Sequence, residues 1–203
     1  DKRARLLDAG AGGMEVERQL LFALLKHGYG RSLTVVAVDS SEDALIHASR
    51  NLITNFGKDI RVVSRKNLSE QELSRLENET SERFLVVTVA MPLQEVRGVF
   101  ADHSFNVSFS SLVLHHIPHD ARKEFAESVA RLGRLALHYD GYRSDFNLIP
   151  QSIFGWKHPI FLNAAIFSNL RYYNRKSLGA FHDGWRLTFY HHAHYLAEHL
   201  SLS

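Results

Sequence analysis

The sequence has no cysteine in its 203 residues, which excludes disulfides and any thiolate-held metal centre. No apolar run approaches the roughly 20 residues that a membrane-spanning helix requires, and no secretory leader is visible at the start. A cytoplasmic location is the resulting expectation. Charge of one sign is lacking as well. Against 24 Lys and Arg stand 22 Asp and Glu, and the net +2 is too small to point to nucleic acid or a membrane surface. The Gly-x-Ser-x-Gly elbow of an α/β serine hydrolase does not occur. What is left is a length suited to one α/β domain with a good core and too short for a second full domain.

The chain is organised around Arg5 to Met14, Arg-Leu-Leu-Asp-Ala-Gly-Ala-Gly-Gly-Met. Leu6 and Leu7 read as a strand that Asp8 ends, and Gly10, Gly12 and Gly13 allow a tight turn where a ligand can approach bare backbone. From Met14 to His27 the apolar residues Val16, Leu20, Ala23, Leu24 and Leu25 recur at helical spacing, with Glu15 and Glu17 near the positive end of the helix dipole. Strand, glycine turn and helix make a nucleotide-binding unit. A dinucleotide fingerprint, Gly-x-Gly-x-x-Gly, fails at its last position, where Glu15 would set a carboxylate beside a pyrophosphate. Asp8 is instead suited to receive the ammonium group of a bound amino acid.

Asp8, Gly10 and Gly12 resemble the first motif of the class I S-adenosylmethionine (SAM)-dependent methyltransferases, Asp/Glu-x-Gly-x-Gly-x-Gly, with Met14 in the third glycine's place. Leu33 to Val38 is a near-continuous apolar, β-branched run of the kind found in strands buried on both faces, and Asp39 ends it. A carboxylate there can accept from both ribose hydroxyls, the work it does in the family resembled; capping of the next helix is its other reading. Ala11 and Ser40 flank these positions and join the expected cofactor set.

Further along, Ser41 to Phe56 reads as a helix capped by Ser41 and ended by Gly57, and Ile60 to Val63 as a short strand. The polar stretch Lys66 to Arg83 reads as a solvated helix from Ser69 to Leu76 or as a loop insertion. Phe84 to Ala90 is taken as the central strand ending at the cofactor, with Ala90 and Met91 by the adenine; Met91 reads equally well as core. Phe105 to Leu114 is the next strand and runs into His115-His116-Ile117-Pro118. That segment resembles the Phe-Asp-x-Val…Leu-His-His-Leu-Pro segment of the quinone-biosynthesis C-methyltransferases, with Asn106 replacing the usual Asp. The resemblance implies cofactor contacts at Ser110 and Ser111. Asp120 to Leu132 reads as a helix closed by Gly133, and Arg134 to Tyr139 as a further strand.

The alternation of strand and helix predicts an α/β fold, doubly wound, with a mostly parallel seven-stranded sheet covered by helices on both faces. Trp185 to Tyr190 and Ala193 to Leu200 form its last pair, and the resemblance makes the last strand antiparallel. Likeness to the family covers Arg5 to Asp140. Residues 141–177, rich in aromatics and with a predicted helix from Asn163 to Leu170, sit where the family often inserts a lid over the acceptor. The chain opens at Asp1, close to the first strand; the helices that precede this strand in the family, and help to cover the cofactor there, are expected to lie outside it.

The expected activity is SAM-dependent methyl transfer to a small-molecule acceptor, with no nucleic-acid or membrane partner and no assignment of oligomeric state. His116 and, after it, His115 are the candidates for a general base, because imidazole has the right pKa range to deprotonate an acceptor. Thirteen histidines raise the question of a metal. Neither His115-His116 with His119 nor His191-His192 with His194 has a ligand pattern that suits a tetrahedral site, so no metal is expected. A nicotinamide-dependent oxidoreductase and a catalytically silent SAM-fold regulatory module are the rival readings.

Overall fold

The computed structural model describes residues 3–28, 30–118, 120–143, 173–174, 185–190 and 194–200. Its sheet is built on the two most apolar runs, β2 (Leu33–Asp39) and β4 (Phe84–Ala90), in which every residue but the last is buried. Period-2 alternation sends successive side chains to opposite faces. Val36, Val38, Val87 and Val89 therefore join one core cluster, while Val35, Ala37 and Val86 join the other.

Helix α1 (Glu15–Lys26) and α2 (Glu42–Phe56) supply Leu21, Leu45, Ala48 and Leu52 to the second cluster. Helix α3 (Glu70–Glu79), the short α4 (Leu93–Val96) and α5 (Arg122–Leu132) supply Leu73, Leu76, Val96, Phe125 and Val129 to the first. The sheet is thus covered on both faces, as the sequence predicts. None of the helices among the described residues is long and apolar enough to cross a membrane.

With β1 (Ala4–Ala9), β3 (Ile60–Arg65), β5 (Phe105–Ser111), β6 (Gly133–Arg143), β7 (Tyr173–Asn174), β8 (Trp185–Tyr190) and β9 (His194–Leu200), the strand order is β3-β4-β2-β1-β5-β6-β9-β8. The pairs from β3 to β6 are parallel; β9 runs antiparallel to both β6 and β8. Among the described residues eight strands lie in line against the seven expected; the outermost, β3, is the short strand read at Ile60 to Val63 and pairs with β4. β4 is not the central strand expected, since it lies second from the β3 edge; its last residue, Ala90, pairs with Asp39. From β1 the chain passes to β2 and on to the edge strand β3, turns back to β4 between β2 and β3, then crosses to β5 on the other side of β1. That reversal opens a crevice at the carboxyl ends of β1 and β5, the place where ligands bind in open α/β sheets.

Several local readings change. The stretch 66–83 holds the helix and not the loop; it runs three residues past Leu76, to Glu79, and one face of it is packed. Ser69 caps α3 by accepting from the Glu72 N–H at 3.1 Å, Leu68, Leu73 and Leu76 are buried, and Arg5 holds Glu77 with two nitrogens at 2.9 and 2.7 Å and Glu70 at 2.5 Å. Strand β5 stops at Ser111, since Leu112 takes a left-handed conformation (φ 57°) and Leu114–His116 form a 3-10 turn. Gly133 has extended backbone (φ −104°) and starts β6. Its missing side chain serves close packing instead of a left-handed cap, for a Cβ would lie 2.7 Å from the Ser108 backbone nitrogen.

Asn106 accepts the Arg5 N–H through its side-chain oxygen at 2.8 Å, an acceptor that the family's aspartate would offer equally. Strand β6 runs to Arg143, into the predicted insertion at residues 141–177, and β7 pairs with the strand's end. The insertion's residues 144–172 and 175–177, with the predicted helix from Asn163 to Leu170, lie outside the described residues.

Candidate functional site

At the crevice the glycine turn is folded tightly onto the neighbouring strand. The N–H groups of Gly10 and Ala11 both donate to the Val38 carbonyl, at 2.8 and 3.0 Å. Gly10 (φ 88°) and Gly12 (φ 47°) use the left-handed region that only glycine adopts freely. A Cβ on Gly10 would overlap the Val113 side chain, whereas one on Gly12 or Gly13 would meet little. The turn is thus closed on its Val113 side and open over Gly12 and Gly13. Met14, in the third glycine's place, is also left-handed (φ 51°) and is the N-cap residue of α1; its side chain is buried in the core below. The substituted side chain is therefore packed inward, while the residue still borders the crevice.

Asp39 ties the two halves of this wall together. Its Oδ2 accepts the Gly12 N–H at 2.8 Å and its Oδ1 accepts the Ser41 N–H at 2.8 Å. Each oxygen keeps lone-pair capacity for another donor. Both readings of Asp39 meet in one geometry, since the carboxylate anchors the start of α2 and still lines the crevice.

The crevice has a volume of about 710 Å³, ample for a nucleoside with an amino-acid tail. Of the predicted cofactor residues, Asp8, Gly10, Ala11, Gly12, Asp39, Ser40, Met91 and Ser111 line it. Met91 sits at its floor with its N–H on the Asp39 carbonyl at 3.0 Å. Ala90 and Ser110 are not part of the lining. Ser110 is buried, with its hydroxyl 2.6 Å from Nδ1 of His138, and burial pushes the pKa of that imidazole down to about 4.

The two histidines separate. His116 is exposed and lines the crevice with Leu112, Val113 and Ile117. His115 turns inward, where Asp140 accepts its backbone N–H at 3.0 Å and contacts its Nδ1 at 2.8 Å. The two rings meet at a tilt of 45° with centroids 3.9 Å apart, so the buried His115–Asp140 pair fixes the ring that His116 packs against. His119, His191 and His192 lie outside the described residues, and among the described residues no three His, Asp or Glu side chains gather around a possible metal site.

Glu17 is the lining residue that the sequence reading misses. An acidic residue in the first turn of a helix ordinarily faces solvent along the dipole, yet Glu17 is 1% exposed and faces Asp8, itself 3% exposed. Its spacing of four from the buried Leu21 was the available signal, because residues i and i+4 share a helix face. Burial first, then repulsion from Glu17, raises the Asp8 carboxyl well above its usual range, and burial likewise raises Glu17.

No protein-family model and no curated protein matches the sequence. Solved structures do match in fold. The methyltransferase domain of bacterial CtHen1-CN is 14% identical with a TM-score of 0.55, covering 96% of this chain and 88% of that one. The plantazolicin methyltransferase BamL, solved with a desmethyl-plantazolicin analogue and S-adenosylhomocysteine (SAH), is 9% identical with a TM-score of 0.57 over 93% of this chain and 58% of that one. The carbon methyltransferase of DszA is 15% identical with a TM-score of 0.55 over all of this chain and 48% of that one. The fold is therefore that of the class I SAM-dependent methyltransferases. At such identities the likeness is one of architecture, and the acceptor must be argued from the crevice itself.

Proposed function

We propose that the chain is a SAM-dependent methyltransferase acting on a small-molecule acceptor. The observation that carries this reading is the crevice at the β1–β5 reversal, where an open glycine turn, a strand-end carboxylate and an inward carboxyl pair converge. These residues fit the cofactor. Gly12 and Gly13 leave space against the backbone, Asp39 has acceptor capacity for ribose hydroxyls, Met91 offers an apolar edge to a base, and Asp8 awaits a cationic donor.

When bound, SAM supplies an electrophilic methyl on a sulfonium, and transfer then depends on alignment of the acceptor. His116 faces the same space and is the group to take a proton from an acceptor that must lose one. The His115–Asp140 pair positions it through the adjoining His115 ring. No Lys or Arg is found among the described lining residues, which favours a small neutral or cationic acceptor over a phosphate backbone. Glu15 at the helix start speaks against a dinucleotide pyrophosphate, the requirement of the oxidoreductase reading.

Incubation with SAM and a panel of phenolic and enolic acceptors, with SAH release as the readout, tests this directly. Turnover with at least one acceptor is expected, falling by roughly 10²- to 10⁴-fold in His116→Asn with SAH affinity unchanged. Undiminished SAH binding without turnover on any acceptor would favour the silent module.

A further inference from the structure

Asp8 at the end of β1 and Glu17 on α1 are brought face to face by the tight turn between them, and both line the crevice. Asp8 Oδ1 and both Glu17 carboxyl oxygens are buried, and no N–H or hydroxyl donor of the protein reaches them. Three such acceptors in one place are costly unless a donor arrives, because each forfeits its hydration. Two adjacent buried carboxyls cannot both ionise cheaply, so the pair holds a proton between them. The other titratable groups that line the crevice are Asp39 from the end of β2, Glu15 at the start of α1 and His116. None supplies a fixed cation.

We propose that Asp8 and Glu17 form a two-carboxyl socket for the α-ammonium of the cofactor's methionine moiety, and that filling the socket expels the shared proton to solvent. This rests on the SAM reading of the crevice and adds Glu17 to it as a cofactor-selecting residue. The balance is simple. The empty pair carries one proton and a charge of −1. The ligand enters as the ammonium cation, its N–H groups donate to Asp8 and Glu17, the proton leaves, and two carboxylates then enclose one cation. Ligands without the amino group gain nothing from the socket and release no proton.

Calorimetric titration in two buffers of different ionisation enthalpy, between about pH 6 and 7.5, reads the proton directly. The probes are SAH and 5′-deoxy-5′-methylthioadenosine, which keeps the nucleoside and the sulfur but lacks the amino-acid tail. About one proton released per SAH and none per methylthioadenosine is expected, with SAH affinity rising by up to about tenfold per pH unit. In Glu17→Gln the proton release and the pH slope should vanish while methylthioadenosine binding is unchanged, which also shows that the variant is folded. Asp8→Asn should lose the same proton. SAH binding without proton release, or release that persists in Glu17→Gln, overturns the socket while leaving the SAM reading intact. Failure of the native chain to bind either ligand overturns both.

Discussion

The backbone N–H of Gly12 donates to Oδ2 of Asp39 at 2.8 Å, so the carboxylate that ends β2 holds the turn that ends β1. The same carboxylate takes the Ser41 N–H through its other oxygen. Asp39→Ala removes both acceptors and leaves two backbone donors to find water. A loss of about 1 to 3 kcal/mol in unfolding free energy is expected, with SAH affinity reduced at least roughly tenfold, as for loss of a charge-assisted hydrogen bond. Denaturant titration and calorimetry on Asp39→Ala and Asp39→Asn separate the two effects. The asparagine keeps one acceptor oxygen and should recover part of the stability but little of the affinity.

Gly10 and Val113 meet across the β1–β5 reversal. Gly10→Ala combines a positive φ with an overlap on the Val113 side chain, so it should destabilise the fold by about 1 to 3 kcal/mol and narrow the crevice. Adding Val113→Ala should restore the space, and with it SAH binding, without relieving the backbone strain. Gly13→Ala, at a position with open space and no positive φ, should be tolerated in both assays.

Met14 trades backbone strain for burial. Met14→Gly relieves a left-handed conformation that costs about 1 to 2 kcal/mol, yet it removes a fully buried side chain worth about 2 to 5 kcal/mol. A net loss of about 1 to 3 kcal/mol is expected in thermal or denaturant unfolding, even though the change restores the glycine pattern. An increase in stability would contradict the inward placement of this side chain.

His138 makes stability depend on pH. Burial lowers its folded-state pKa to about 4, below the ordinary value of 6.5, so the unfolded chain binds the extra proton between these values. Its contribution is complete above about pH 6.5 and is lost as pH falls toward 4, by about 1.4 kcal/mol per pH unit. Asp8 and Glu17 act in the opposite sense. Their raised values mean that the folded chain holds more protons, and their contribution declines as pH rises. The comparison of native chain and His138→Gln at pH 5 and 7 isolates the histidine. The native chain should lose about 2 kcal/mol more than the variant on acidification.

Much of the crevice wall was legible because its features are local. Glycines two apart after an apolar run, a strand-ending Asp39 and the Ser41 cap are decided by neighbours in sequence, and the structure has them as read. β2 and β4 were legible because strands buried on both faces leave few polar positions. Glu17 was not, because only the folded turn reveals that its helix face looks back at Asp8. The division between His115 and His116 was equally hidden: it depends on Leu112 breaking the strand and on Asp140, 25 residues away, drawing one ring inward. Ser110 is assigned to the crevice by the family resemblance, which concerns the backbone at this strand end and does not say where the side chain points. Its hydroxyl instead reaches across to β6 and His138.

The central claim is that the crevice is a SAM site, and calorimetric titration of the native chain with SAH, with NAD as the control, tests it most directly. Saturable one-to-one binding of SAH in the micromolar range, with no heat from NAD, is the predicted result. Binding of NAD in preference to SAH, or of neither, would contradict it.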